Sequence, residues 1–103
     1  MLIVQWTEPA LEDLDMIYDY VALGSKKNAD RLFHALLDAS EILQDSPEAG
    51  KLEVSIPDYR CLIVKRRYKL IYYIENKCVY IASVWDCRQE PMGLSRRLSQ
   101  LRK

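Results

Sequence analysis

The stretch "YRCLIVKRRYKLIYYIENKCVYIASVW", Tyr59 to Trp85, decides the fold. It contains three runs rich in β-branched and aromatic residues, over 59–65, 67–74 and 78–85, and such runs are typical of β-strands. The breaks "KRR" and "ENK" are short enough for hairpin turns, so the spacing predicts a three-stranded antiparallel meander. Alternation along the middle run places Tyr68, Leu70, Tyr72 and Ile74 on one face and Lys69, Ile71 and Tyr73 on the other. We expect one face to meet helices and the other to be half-open, facing a partner or solvent.

Two helices are predicted before the meander, after a short strand over 2–6. Thr7 suits the N-cap of a helix over "EPALEDLDMIYDYVALG", and Ser25 suits the N-cap of a second helix over 26–44. Only a few residues separate them, so an antiparallel helical hairpin is expected. The order is β-α-α-β-β-β. The predicted class is α+β, with the N-terminal helical hairpin packed on one face of a mainly antiparallel sheet.

The sequence does not determine the secondary structure of two segments. The run "KLEVSIP", 51–57, fits either a short strand or an extended connection. The end of the chain, from Pro91 through the short basic tail 92–103, predicts a loop that can include a short basic helix. The sequence of 103 residues has no internal repeat and no linker, so we expect residues 1–103 to form one domain.

Composition limits the function classes. No apolar run approaches the roughly 20 residues that span a bilayer, and "MLIVQWTEP" is not a secretory signal, so a cytoplasmic protein without a membrane partner is expected. The three cysteines form no CxxC pair and are predicted to be reduced thiols. A zinc site would need His34 and all three cysteines from scattered positions, so no metal is expected.

The charge is divided unevenly along the chain. Residues 1–50 contain three Lys/Arg and ten Asp/Glu, whereas residues 51–103 contain twelve Lys/Arg and five Asp/Glu. The folded surface therefore has either one basic and one acidic face, or a mixture once the halves pack together. A basic face would attract a phosphate backbone or an acidic protein segment.

The basic residues concentrate in the meander. They lie in or between the first two strands, with one after the last strand: Arg60, Lys65, Arg66, Arg67, Lys69 and Arg88. Tyrosines and a tryptophan lie between them, and cations with aromatic faces suit phosphate contact and base stacking. The alternative is a Lys/Arg-rich hairpin that protects the sheet from edge pairing.

Other polar residues are interpreted as structural. The acids of the first helix, which are Glu8, Glu12, Asp13, Asp15 and Asp19, are expected on its solvated side. His34 lies in the middle of the second helix and is expected to be partly exposed. Cys87 lies beside Arg88, which could lower a thiol pKa, but no base for a nucleophile is visible nearby.

Together these elements resemble the RelE/ParE superfamily of bacterial toxins, the toxin halves of type II toxin–antitoxin systems. The resemblance covers residues 2–91, and it rests on "WTEPALEDLDMIYDYV", the Pro-Gly break, "YR" opening a strand, "RYKLIYYI" and the closing "VW..R..P". It implies a small cytoplasmic toxin without a cofactor, of the kind found in plasmid stabilisation systems. It also implies a cognate antitoxin that wraps an extended or helical segment around the toxin.

Members of this superfamily differ in function. RelE-like members cut messenger RNA, usually on the ribosome, without a metal. Their Arg and Lys side chains promote attack of the ribose 2′-OH on the adjacent phosphate and stabilise the charge that develops. ParE-like members inhibit DNA gyrase and lack that basic set.

The resemblance implies catalytic roles for three residues of this chain. Arg60 in "YRCL" matches a basic catalytic position, Lys69 in "RYKLIYY" matches the central-strand arginine, and Arg88 in "DCRQ" is the nearest match to the basic residue after the last strand. RNA or phosphate binding is expected from Lys65, Arg66 and Arg67.

The catalytic set is incomplete. A second catalytic lysine would fall on Leu62, and no tyrosine follows Tyr80 to stack on a base. A neutral Lys69 is conceivable beside Arg60 and Arg67, because like charges lower the pKa of a lysine. Three interpretations remain open: an mRNA endonuclease, a non-enzymatic gyrase inhibitor, or a degenerate relative that only binds antitoxin.

Overall fold

Thr7 and Ser25 begin the two helices in the computed structural model of the chain, which describes residues 1–53 and 57–88. Helix α1 spans Glu8–Gly24 and helix α2 spans Lys26–Ile42. The Thr7 hydroxyl accepts from the Ala10 N–H, and the Ser25 hydroxyl accepts from the Asn28 N–H at 3.1 Å. The Ser25 N–H also donates to the Val21 carbonyl, so this one residue closes α1 and opens α2. The predicted helical hairpin is confirmed, although α2 ends two residues before the expected Gln44.

The sheet has five strands among the described residues: β1 (Ile3–Trp6), β2 (Lys51–Leu52), β3 (Arg60–Val64), β4 (Tyr68–Glu75) and β5 (Cys78–Asp86). Their order across the sheet is β1-β5-β4-β3-β2. Only the β1–β5 pairing is parallel, so the predicted α+β class with a mainly antiparallel sheet is confirmed. The start of the undetermined run 51–57 is a strand, because β2 pairs with β3. Residues 54–56, Pro91 and the tail 92–103 lie outside the described residues.

Both turns of the meander contain residues with positive φ. Asn76 and Lys77, at 52° and 63°, form the two-residue turn between β4 and β5, a geometry that matches the twist of paired strands. Lys65 and Arg66, at 54° and 62°, turn the chain between β3 and β4. The β3–β4 turn therefore has two exposed cations, Lys65 and Arg66, at its tip.

The core lies between the helices and one face of the sheet. It includes fully buried Leu36, Leu70 and Tyr72, and Tyr68 shares this face. This confirms the predicted face of β4 except at Ile74, which is 42 % exposed because it lies near the strand end. A smaller apolar cluster on the other face contains Tyr59, Ile71 and Ala82, with Cys61, Tyr73 and Trp85 packed against it.

Asp13 connects α1 to an irregularity in β5. Ile71 of β4 pairs with Ser83 but Tyr72 pairs with Ile81, so β5 has one extra residue here. The Asp13 carboxylate accepts from the Ser83 hydroxyl at 2.7 Å and from the Val84 N–H at 3.0 Å. The expectation that Asp13 lies on the solvated side of the helix is wrong. Its carboxylate accepts hydrogen bonds from Ser83 and Val84, which the bulge directs toward α1.

Candidate functional site

Arg60 lies on the helix side of the sheet, opposite Tyr72 of β4. Its guanidinium Nη1 donates to the Gly50 carbonyl at 2.9 Å. The Tyr72 hydroxyl donates to the Pro47 carbonyl at 2.7 Å and accepts from the Gly50 N–H at 2.9 Å. Burial raises the pKa of Tyr72, so the hydroxyl keeps its proton for this bond. Arg60 and Tyr72 thus fasten the connection between α2 and β2 to the sheet.

Gly50 must be a glycine for a steric reason. A Cβ at this position would lie 2.6 Å from the Tyr72 hydroxyl and 2.7 Å from the Cys61 carbonyl. Both distances are shorter than ordinary van der Waals contact, and the second atom is backbone. The close approach therefore positions the Gly50 carbonyl that Arg60 contacts.

Lys69 lies on the opposite face of the sheet. Its ammonium is 3.0 Å from Oε2 of Glu53, just beyond β2. Burial lowers the pKa of Lys69, but the hydrogen bond and negative charge of Glu53 outweigh burial, and the net pKa is raised. The idea of a neutral Lys69 is therefore wrong: the nearest charge that acts on it is a carboxylate, which favours the ammonium.

Arg88 is paired with Asp86 at the end of β5. Its Nη2 lies 2.6 Å from Oδ2 of Asp86, and its Nε and backbone N–H also donate to this carboxylate. The hydrogen bond from Arg88 lowers the pKa of Asp86, and the pKa of Arg88 is raised in turn. The Arg88 side chain is 53 % exposed, so it can still contact a ligand.

The three residues with implied catalytic roles do not meet. Lys69 points to the face opposite Arg60, because residues on successive positions of a strand alternate between faces. Arg60 and Asp86, the partner of Arg88, lie opposite Tyr72 and Tyr68, which are four residues apart on β4. At about 3.3 Å per residue this is roughly 13 Å. Their catalytic assignment stays a prediction.

Two of the three thiols have a raised pKa. Cys61, Cys78 and Cys87 are free cysteines. Burial raises the pKa of Cys87 and that of Cys61, so both stay protonated near neutral pH. Residues 1–53 and 57–88 contain no group of three or more His, Cys, Asp or Glu placed to hold a metal ion.

A cluster of cations lies between α2 and the β3–β4 turn. Arg31, Lys65 and Arg67 line a cavity of about 360 Å³ together with Asn28 and Tyr68. The sequence did not predict Arg31 as a member of this cluster, because Arg31 lies in the acidic half of the chain. Its position near the start of α2 could have indicated this, since the helical hairpin brings that end of α2 close to the β3–β4 turn.

A second cavity lies beside the first. Met16, Ile17 and Tyr20 of α1 line it with Asp86 and Arg88, and its volume is about 440 Å³. Tyr68 contributes to both cavities, so they lie next to each other, and we call the two together the mixed groove. The mixed groove has an apolar end at Met16 and Tyr20 and a basic end at Arg31, Lys65 and Arg67.

The fold matches that of a class of small bacterial toxins. The family of the ParE toxin of the type II toxin–antitoxin system parDE matches residues 4–91. The chain belongs to that family and is the toxin component of a type II toxin–antitoxin system, with an antitoxin as its partner. The suspected membership of the RelE/ParE superfamily is confirmed.

Two relatives show the likeness at different levels. The chain is 35 % identical over 81 residues to "Toxin RelE2" of Caulobacter vibrioides, covering 79 % of this chain and 90 % of that protein. A solved structure, the chromosomal ParDE toxin–antitoxin system from P. aeruginosa, has a TM-score of 0.73 and 26 % identity, covering 84 % of this chain and 96 % of that one.

Among the described residues, neither helix has the length and apolar character needed to cross a bilayer.

Proposed function

We propose that this toxin acts by binding a protein target, DNA gyrase, and not by cutting RNA. The observation that carries the proposal is the separation of Arg60, Lys69 and Arg88 into three places. Membership of the ParE toxin family and the likeness to a ParDE structure also support it. Such a toxin needs a contact surface and no catalytic constellation.

The separation matters because RNA cleavage without a metal requires several cations at one phosphate. Donors that stabilise a developing oxyanion lie about 2.7–3.1 Å from it. Lys69 lies across the sheet from Arg60, and Arg60 is roughly 13 Å from the Arg88 pair along the strand direction. Side chains on opposite faces of the sheet do not converge on one phosphate, which weighs against joint catalysis by Arg60 and Lys69, and the raised pKa of Lys69 makes it a poor general base.

A second candidate is an mRNA endonuclease, supported by the 35 % identity to a protein named Toxin RelE2. In that case Arg60, Lys69 and Arg88 would promote attack of the ribose 2′-OH and stabilise the phosphate charge. Exposed Lys65, Arg66 and Arg67 would bind the RNA backbone.

One experiment separates the candidates. The chain is induced without its antitoxin, transcript ends are mapped, and purified chain is added to a gyrase supercoiling assay. We expect intact transcripts and blocked supercoiling. New transcript ends with normal supercoiling would overturn the proposal, and no growth effect would identify a degenerate relative that only binds antitoxin.

Charge-removing variants sharpen the readout. Lys69→Met and Arg88→Gln test the implied catalytic residues, and Lys77→Gln, an exposed turn cation, is the matched control. A nuclease would lose cleavage in the first two variants and keep it in the third. A gyrase-binding toxin would produce no new transcript ends with any of them.

A further inference from the structure

We propose that the chain forms a symmetric dimer in which the outer edges of β1 from two copies pair as antiparallel strands. The two five-stranded sheets then join into one continuous sheet across a two-fold axis. The dimer is independent of the cellular target of the toxin, because it is built from backbone groups at the edge of the sheet.

The outer edge of β1 has backbone groups that face away from the sheet. The N–H groups of Ile3 and Thr7 both donate to carbonyls of β5, at 3.4 and 3.1 Å. Since backbone groups alternate in direction along a strand, those of Val4 and Trp6 point to the other side. In the part of the chain that the structure describes, no strand pairs with β1 on that side. The N–H and carbonyl groups of Val4 and Trp6 are therefore available to another strand.

The two edges of the sheet differ in their protection against pairing. The strand at the far edge, β2, is two residues long and contains Lys51. Short length and lysine are devices by which natural sheets discourage edge pairing. In contrast, β1 has four residues, and the stretch from Met1 to Thr7 contains no charged side chain and no proline. The β1 edge therefore lacks the features that would prevent pairing.

A second copy of β1 fits this edge. When a two-fold axis passes beside Gln5, Val4 of each copy lies opposite Trp6 of the other, and each such pair exchanges both backbone hydrogen bonds. This register satisfies all the backbone groups that Val4 and Trp6 direct outward. It also leaves the Leu2 N–H on the Gln44 carbonyl, to which it already donates at 2.8 Å. The outer edge of β1 is therefore complementary to itself.

The side chains around the edge also favour a copy of the same chain. Met1 and Ile3 are 92 % and 70 % exposed, and Ile42, which is 55 % exposed, lies two residues before the Gln44 that bonds to Leu2. Because β1 has no charged side chain, two copies do not repel each other there, whereas a charged segment of another protein finds no opposite charge to pair with. One short strand from each copy is a small contact, which is typical of a weak, concentration-dependent dimer.

Disulfide trapping tests the register. The two copies of Gln5 form a non-hydrogen-bonded pair with Cα atoms about 4.5 Å apart, a distance that a disulfide can bridge. Gln5→Cys is made in the full chain with Cys61, Cys78 and Cys87 replaced by serine, so that any disulfide joins two chains. Diamide accepts the two electrons and two protons of the two thiols as the S–S bond forms.

The matched control for trapping is Ile3→Cys in the same background. Position 3 is exposed on the same face of the same strand, but its two copies are offset by about 13 Å along the strands in this register. We expect linked dimers to form about 10-fold faster or more from position 5 than from position 3. Equal rates, or faster linkage from position 3, would overturn the proposal. An edge occupied by segment 89–103 would also abolish the preference for position 5.

Charge at the two-fold axis gives a second test, with the native cysteines in place. Gln5→Lys and Gln5→Glu each put like charges opposite each other and should weaken dimerisation about threefold or more, whereas an equimolar mixture should recover it. Ile63→Lys, an exposed position on β3, is the control and should change the dissociation constant less than about 1.5-fold. Sedimentation equilibrium of the full chain, separated from its antitoxin, measures these constants. A monomer at every concentration, or a mixture that does not recover, would contradict the dimer.

Discussion

The ammonium of Lys69 lies 3.0 Å from the carboxylate of Glu53, and the Glu53 side chain is only 7 % exposed. This pair joins the middle strand of the sheet to the chain just beyond the edge strand β2. Lys69, which the family resemblance assigns to phosphate chemistry, is therefore held by a buried carboxylate of the same chain. Its first role is to neutralise that carboxylate.

The Lys69–Glu53 pair should show measurable coupling. Glu53→Gln removes the carboxylate from beside a partly buried ammonium, Lys69→Met removes the ammonium from beside a buried carboxylate, and the double variant removes both charges. We expect each single change to cost about 1–3 kcal/mol and the coupling energy to be about 1–2 kcal/mol. Urea denaturation of the four proteins measures it. Strictly additive costs would mean that the pair contributes nothing.

Replacing Gly50 by alanine should destabilise the fold. The new Cβ would lie 2.7 Å from the Cys61 carbonyl, so backbone must shift, and we expect a loss of about 1–3 kcal/mol. Gly24→Ala is the control, since nothing lies within 4 Å of a Cβ there. The control should be neutral or stabilised by up to about 1 kcal/mol. Thermal unfolding of both variants checks the contrast, and similar melting temperatures would disprove the steric argument.

Tyr72→Phe should remove a buried acceptor without opening a large cavity. The Gly50 N–H and the Pro47 carbonyl would both lose their bond to the hydroxyl, at a cost of about 1–3 kcal/mol. Tyr20→Phe, on the exposed stripe of α1, should change stability by less than about 0.5 kcal/mol. Chemical denaturation compares them. A Tyr72→Phe protein as stable as wild type would show that the connection near Gly50 is held by other contacts.

Asp13→Asn should loosen α1 from the bulge in β5. An amide keeps one acceptor oxygen but loses the charge-assisted bonds to Ser83 and Val84, so we expect a loss of about 1–2 kcal/mol. Asp15→Asn, on the exposed side of the same helix, is the matched control and should be nearly neutral. Hydrogen exchange of the Val84 amide gives a local readout. Unchanged protection there would refute the role of Asp13.

The Asp86–Arg88 pair predicts a pH dependence. Because the hydrogen bond from Arg88 lowers the pKa of Asp86, the pair stabilises the fold above the unfolded pKa of about 3.9. That contribution is lost as the pH falls through the lower folded pKa. Wild type should be slightly more stable than Asp86→Asn near neutral pH, since solvent screens the exposed Arg88, and the difference should vanish in strong acid. Urea titrations at several pH values test this, and a difference that grows in acid would reverse the assigned sign.

The fold was largely predictable because its signals are local. Thr7 and Ser25 carry the capping oxygens, and strand alternation around Leu70 identified the core face. The sequence pattern could not predict the short strand β2, because two residues are too few to show the alternation of a strand. Lys51–Leu52 form a strand only because they pair with β3. The bulge at Ala82 was equally hidden, because it depends on the register between two strands.

The candidate site was less predictable because charge pairing depends on tertiary structure. Lys69 was expected in a strand and Arg88 just after the last strand, but their carboxylate partners lie in a connection and at a strand end. Arg31 joins Lys65 and Arg67 only because the hairpin of helices packs against the sheet. The sequence identifies the cations, but only the tertiary structure shows which of them are already paired with a carboxylate of the same chain.

The parallel pairing of β1 with β5 has a consequence for how the toxin is made. Ile3 lies opposite Cys78 and Trp6 opposite Ile81, so β1 of a nascent polypeptide has no strand to pair with until β5 exists. Contacts this distant in sequence are slow to form. A half-made chain consequently lacks both the partner for its first strand and the strand on which α1 rests. We therefore expect the fold of the toxin to form only after β5 has been synthesised.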